Sequence, residues 1–139
     1  MSGLRRGTGR RRGQAAVEFA LVLPLLLVML VGIIEFGRAW NEHQVITDAA
    51  REAARKAAIF DESITADSIT NTAEAALAAA GIDPSTATIT LTNWDGPGNT
   101  PVTVAIDLPY QFTFFGPLVA WSTGQSNIVL KTSFSMRNE

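Results

Sequence analysis

No cysteine occurs among the 139 residues, and His43 is the single histidine. The first absence excludes disulfides, thiolate catalysis and cysteine metal sites, while leaving the compartment open. The second leaves His43 with Glu42 and Asp48 as its nearest candidate partners, at helical spacings that build no ligand set, so it reads as a lone surface histidine. Asp95-Gly-Pro-Gly lacks the lysine and Ser/Thr of a phosphate loop and the alternating acids of a calcium loop, and reads as a turn. No catalytic group, metal or cofactor is expected. Acid is also missing before Glu18, while Arg5, Arg6, Arg10, Arg11 and Arg12 give the first thirteen residues a charge of +5. The remainder then holds six bases against thirteen acids, so a net charge of −2 hides a +5 leader and a −7 body. Glycine and proline are both absent from Arg38 to Phe60, which leaves nothing to interrupt an alanine-rich helix there.

The apolar run after the leader is the longest feature of the chain. Strictly charge-free from Phe19 to Ile34, it covers about 24 Å at 1.5 Å per residue, short of a hydrocarbon core near 30 Å. Taken from Ala15 to Gly37 it reaches roughly 34 Å and spans, with Glu18 and Glu35 near the two edges and Arg38 and Trp40 as outer anchors. Phe19, Leu21, Pro24, Leu27, Leu30 and Ile33 form the membrane segment. A cleavable secretory signal shares the basic and apolar regions, but no clean small-x-small site follows the apolar core. Five arginines could also serve as a nucleic-acid arm. Directly before an apolar helix they read instead as the positive-inside signal, with Arg10, Arg11 and Arg12 holding the N-terminus in the cytoplasm and the region after about Arg38 exported. No nucleic-acid partner is expected. Glu18 stands out, because an intramembrane carboxylate costs a few kcal/mol and calls for a partner, unless it lies close enough to the interface to snorkel.

The order of basic residues, Gly13, four residues, Glu18, Phe19 and an apolar helix resembles a prepilin-peptidase substrate. It is most similar to the TadE-like pseudopilins of the tight-adherence (Tad, or Flp) type IV pilus system, in which Gln-Ala-Ala-Val-Glu-Phe-Ala (here Gln14 to Ala20) precedes a Leu/Val-rich run with a proline, here Pro24. Gly32-Ile-Ile-Glu-Phe-Gly-Arg38 and Ala49-Ala-Arg-Glu-Ala-Ala-Arg55 add to the likeness, which covers Arg10 to about Arg55. The chain carries Ala53 where the family often has glycine, a difference that bears on helix packing. The resemblance implies cleavage between Gly13 and Gln14, subunit assembly through Glu18 and Phe19, and as partners a prepilin peptidase, other pilin or pseudopilin subunits, the pilus assembly platform and the inner membrane.

Periodicity supplies the fold. Val45-Ile46, Ala49-Ala50, Ala53-Ala54 and Ala57-Ala58 recur every four residues along one narrow face, suited to the core of a domain. Glu52 and Lys56 make a favourable i, i+4 pair on the other side. A break near Asp61 to Thr65 precedes a second helix over 66–80, with Ile69, Ala73, Leu77 and Ala80 on one side and Gly81 and Pro84 as the stop. The period then becomes two: Ala87, Ile89 and Leu91 alternate with threonines, Val102 to Leu108 alternate up to Pro109, and Ile128, Leu130, Phe134 and Met136 suggest a third strand. Between these last two, Tyr110, Phe112, Phe114, Phe115 and Trp121 read as core rings of the small domain, with an exposed contact patch as the alternative.

The expected architecture is α+β and pilin-like: a leader over 1–13, a membrane helix over 14–37, and an exported domain over 38–139. That domain holds a helical extension to residue 60, the second helix, and about three antiparallel strands over 87–136. The expected role is a non-enzymatic pseudopilin or minor pilin-like protein for assembly of a Tad-type pilus in adhesion or secretion. It is anchored by a single pass in the bacterial inner membrane with a periplasmic domain. The alternative is a single-pass anchored periplasmic interaction module unrelated to any pilus.

Overall fold

The computed structural model describes residues 8–59, 63–97 and 99–137, with backbone alone for 8–12 and Thr123. Helix α1 (Thr8–Ala57) is 50 residues long and contains Pro24. It begins before Gln14, so the leader residues just ahead of Gly13 continue the helix. Its first half touches little of the chain: Phe19, Leu21, Leu27, Leu30 and Ile33 are all exposed. An 18-residue window of this half has mean hydropathy 2.8 and no buried residue. In water such a surface would be untenable. It is that of a helix long and apolar enough to cross a membrane.

The second half of α1 is the spine of the domain. Ile46, Ala49, Ala50, Ala53, Ala54 and Ala57 are at most 3% exposed, as the four-residue spacing predicts. Alanine lets two layers approach this face at once. One is helix α2 (Ala66–Ala79), which contributes Ile69, Ala73 and Leu77. The other is a three-stranded antiparallel meander of β1 (Thr88–Thr92), β2 (Pro101–Gln111) and β3 (Asn127–Arg137), in the order β1-β2-β3. Val102, Val104, Ile106 and Leu108 of β2 point into the core. The fold is α+β, with a long helix, a short helix and three strands, as periodicity anticipates.

Several local details differ from the sequence reading. Thr65 and Ser68 form a capping box that starts α2, whereas Ala80 is the exposed C-cap and not part of the buried face. Lys56 does not pair with Glu52: its Nζ donates to the Ser68 carbonyl at 2.9 Å and to Thr72 Oγ1 at 3.0 Å, tying α1 to α2. A carbonyl held by the fold competes well with a mobile exposed carboxylate. Pro109 does not end β2, which runs on to Gln111. Because β1 stops opposite Asp107, the β1 side of β2 is open there, the setting in which a missing N–H leaves no ladder bond unmade. Phe60 and Asp61, where the sequence places the helix end and break, lie outside the described residues.

Leu77 is fully buried between α2 and the alanine face. Leu77→Ala is therefore expected to destabilise the domain by about 2–5 kcal/mol, measured by denaturant unfolding in detergent with the emission of Trp94, which packs against the same core, as the probe.

Candidate functional site

Gly13 lies within α1, and a Cβ built on it would meet nothing within 4 Å. No close approach among the described residues demands glycine at this position. One turn on, Gln14 Nε2 donates to Glu18 Oε1 at 3.0 Å, so the acid's partner is the side chain of the residue that follows Gly13. Both are exposed, as is Phe19, at 60%. Gly13, Gln14, Glu18 and Phe19 thus share a bare stretch of helix to which, among the described residues, no other element contributes. The side chains of Arg10, Arg11 and Arg12 lie outside the described residues.

A second acid of the same helix is placed in the opposite way. Glu35 is 1% exposed and lies under the connection between β2 and β3. Its Oε1 accepts the Thr113 backbone N–H at 3.2 Å, and Arg38 Nη1 stands 3.9 Å from the same oxygen. Arg38 also donates to Thr113 Oγ1 at 2.9 Å, and the Tyr110 hydroxyl donates to the Glu35 backbone carbonyl at 3.3 Å. Among the described residues, Glu35 Oε2 has no hydrogen-bond partner. An oxygen so desolvated is costly, and the contacts around Oε1 offset part of that cost by latching the strand connection to the helix. Gly32, Glu35, Ala39, Glu42 and Ile46 follow at spacings of three and four, so they lie on one side of α1 and carry the covered face down into the apolar half.

The aromatic connection departs most from expectation. Tyr110 is buried, 5.2 Å from Phe112 in an edge-to-face pair, and Phe115 rests on Gly32, its ring 3.8 Å from where a Cβ would sit. Phe114 and Trp121, by contrast, are 64% and 85% exposed, so the rings do not collectively fill the core. Trp121 belongs to a short helix that periodicity does not predict, α3 (Gly116–Thr123), closed by Gly124 in the left-handed region, and Phe114 lies just ahead of it. At eight residues, and apolar on nearly all sides, it offers no periodicity to detect.

Titration chemistry is sparse. Burial raises the Tyr110 phenol, with the Glu35 carboxylate adding to it. Burial also raises Glu42 from its ordinary 4.5, against the opposing pull of Arg38. A folded-state carboxyl pKa above the unfolded value means the native state binds more protons in that interval, so stability falls as pH rises from about 4.5 through the raised value. Glu42→Gln is expected to flatten this slope and to make the domain more stable than wild type at neutral pH, measured by thermal unfolding across the acid range. His43 is half-buried and stacks on Trp40, which in turn stacks on Phe36, with centroids 6.3 and 6.2 Å apart. Among the described residues, no group of His, Asp and Glu is placed to hold a metal ion.

Residues 13–55 match the family model described as TadE-like protein. The matched segment takes in Gly13, Glu18, the exposed apolar half of α1, Glu35 and most of the alanine face. Comparisons with curated proteins and with solved structures give no match.

Proposed function

We propose that the chain is a pseudopilin-type structural subunit for assembly of a Tad-like pilus, held in the inner membrane by the first half of α1 and matured by a prepilin peptidase that cuts between Gly13 and Gln14. The observation that carries this is the division of α1: its TadE-like segment joins a bare apolar half to a half that is the spine of the domain. A soluble module has no use for the bare half. A subunit stored in a bilayer and then packed among neighbouring helices needs it apolar in both settings. Gly13 fits the cleavage role, because its lack of a side chain serves no packing among the described residues, and glycine weakens a helix by about 1 kcal/mol relative to alanine, easing the local unwinding a protease requires. The rival, an anchored module outside any pilus, shares the anchor but has no need of a peptidase.

Residues 1–13 form the cytoplasmic leader, 14–37 the span and 38–139 the periplasmic domain. The five arginines set this orientation. Protease added to spheroplasts is therefore expected to degrade the domain, whereas protection of the domain together with its labelling from the cytoplasm would reverse the topology.

A further inference from the structure

From Leu108 to Leu130 the chain has 23 residues without one charge. These residues are the far end of the β2–β3 hairpin. The boundary is marked by Asp107 and Lys131, which face each other in register and form an ion pair across the strands. Beyond that pair come Ile128 and Val129, 38% and 48% exposed, and then α3 with Leu118 and Trp121 exposed. A helix apolar all round belongs in a core or in lipid, and α3 is not in the core.

Its position along α1 decides between the two settings. The hairpin end contacts α1 through Phe115 on Gly32 and Thr113 on Glu35. A hydrocarbon layer near 30 Å takes about 20 residues of helix. Ending at Gly37, the outer limit of the span, that layer begins at Glu18 and places Gly32 about 8 Å beneath its surface at 1.5 Å per residue. Any element that rests on Gly32 must therefore enter the same layer. About 5–10 Å is the depth at which interfacial helices lie with their apolar faces among headgroups and upper acyl chains. Trp121, an apolar ring with a polar N–H, suits that level.

Resting on the membrane-anchored reading of α1, we propose that the charge-free end of the β2–β3 hairpin, with α3 at its tip, is a second membrane contact that lies in the domain-side leaflet beside the spanning helix, its exposed Phe114, Leu118 and Trp121 taking up lipid acyl chains. The contact fixes the domain's tilt against the bilayer, which the single helix alone would leave free to swivel. It also roofs Glu35, so that the carboxylate latched to Thr113 meets protein instead of lipid.

The test uses the full chain in phosphatidylcholine vesicles whose acyl chains carry bromine, a contact quencher of tryptophan, either near the headgroup or near the chain end. With Trp40→Phe and Trp94→Phe, Trp121 is the sole tryptophan, and its emission is expected to be blue-shifted and quenched severalfold more by bromine near the headgroup. With Trp40→Phe and Trp121→Phe, Trp94 remains, in the loop at the opposite end of β2, and no quenching is expected. Leu27→Trp in a chain with all three native tryptophans replaced by phenylalanine reports the span itself and is expected to be quenched most by bromine near the chain end. Quenching at position 27 with none at Trp121 would overturn the second contact and leave the anchor standing. No quenching at either would overturn both. Blue-shifted, unquenched Trp121 emission that depends on protein concentration would show a second copy covering α3, and would equally overturn the proposal.

Discussion

Glu18→Ala is expected to abolish piliation while leaving membrane insertion and processing intact. Among the described residues, the partner of Glu18 is the Gln14 side chain of its own helix, a neutral group that does little to repay the few kcal/mol a carboxylate costs inside a bilayer. Cleavage after Gly13 would create an α-amino group with an ordinary pKa near 7.7–8.0, largely cationic at neutral pH. Four residues of helix set that amine about 6 Å along the axis from Glu18, and under the proposed assembly the acid would pair with it or with the amine of a neighbouring subunit. Removing the acid then removes the charge pair but eases insertion, so the two effects separate. Glu18→Asp keeps the charge on a shorter arm and is expected to lose less. Piliation counts and copurification with pilus partners read the outcome; wild-type values in both for the alanine variant would leave Glu18 a snorkelling bystander.

Gly13→Leu is expected to leave the whole population as uncut precursor. Because a Cβ at this position would meet nothing within 4 Å among the described residues, the substitution is expected to cost the fold little, and leucine is the better helix former. Any loss of processing must then arise at the protease, whose confined subsite the side chain would occupy. The precursor should insert normally, keep its domain folded and fail to assemble. Full processing of the leucine variant would remove the reason for glycine at this position.

What the sequence disclosed depended on the range of the contacts. Ala49, Ala50, Ala53 and Ala54 announce their face through a spacing of four, and Ile89, Leu91, Val102, Val104 and Ile106 announce theirs through a spacing of two, so the core is legible in the sequence. The TadE-like stretch was legible for the same reason: Gly13, Glu18 and Phe19 lie within seven residues of one another. Glu35 was readable as an acid near the far edge of the apolar run, but not as a buried one, because its hydrogen-bond donor Thr113 is 78 residues away. The spacing of four points Lys56 to Glu52, whereas the carbonyl it binds sits 12 residues ahead, on α2. The aromatic stretch misled because ring content signals burial without saying in which solvent. Trp121 and Phe114 lie outside the protein core, and only the position of Phe115 on Gly32 shows how close they come to the apolar half of α1.

The central claim, that this is a processed pseudopilin and not merely an anchored domain, is tested most directly by the intact mass of the protein purified from its native membrane, in cells with and without the prepilin peptidase. The expected result is a chain beginning at Gln14 and retaining the apolar helix in the first case, and the full-length precursor in the second. The same unprocessed mass in both would contradict it.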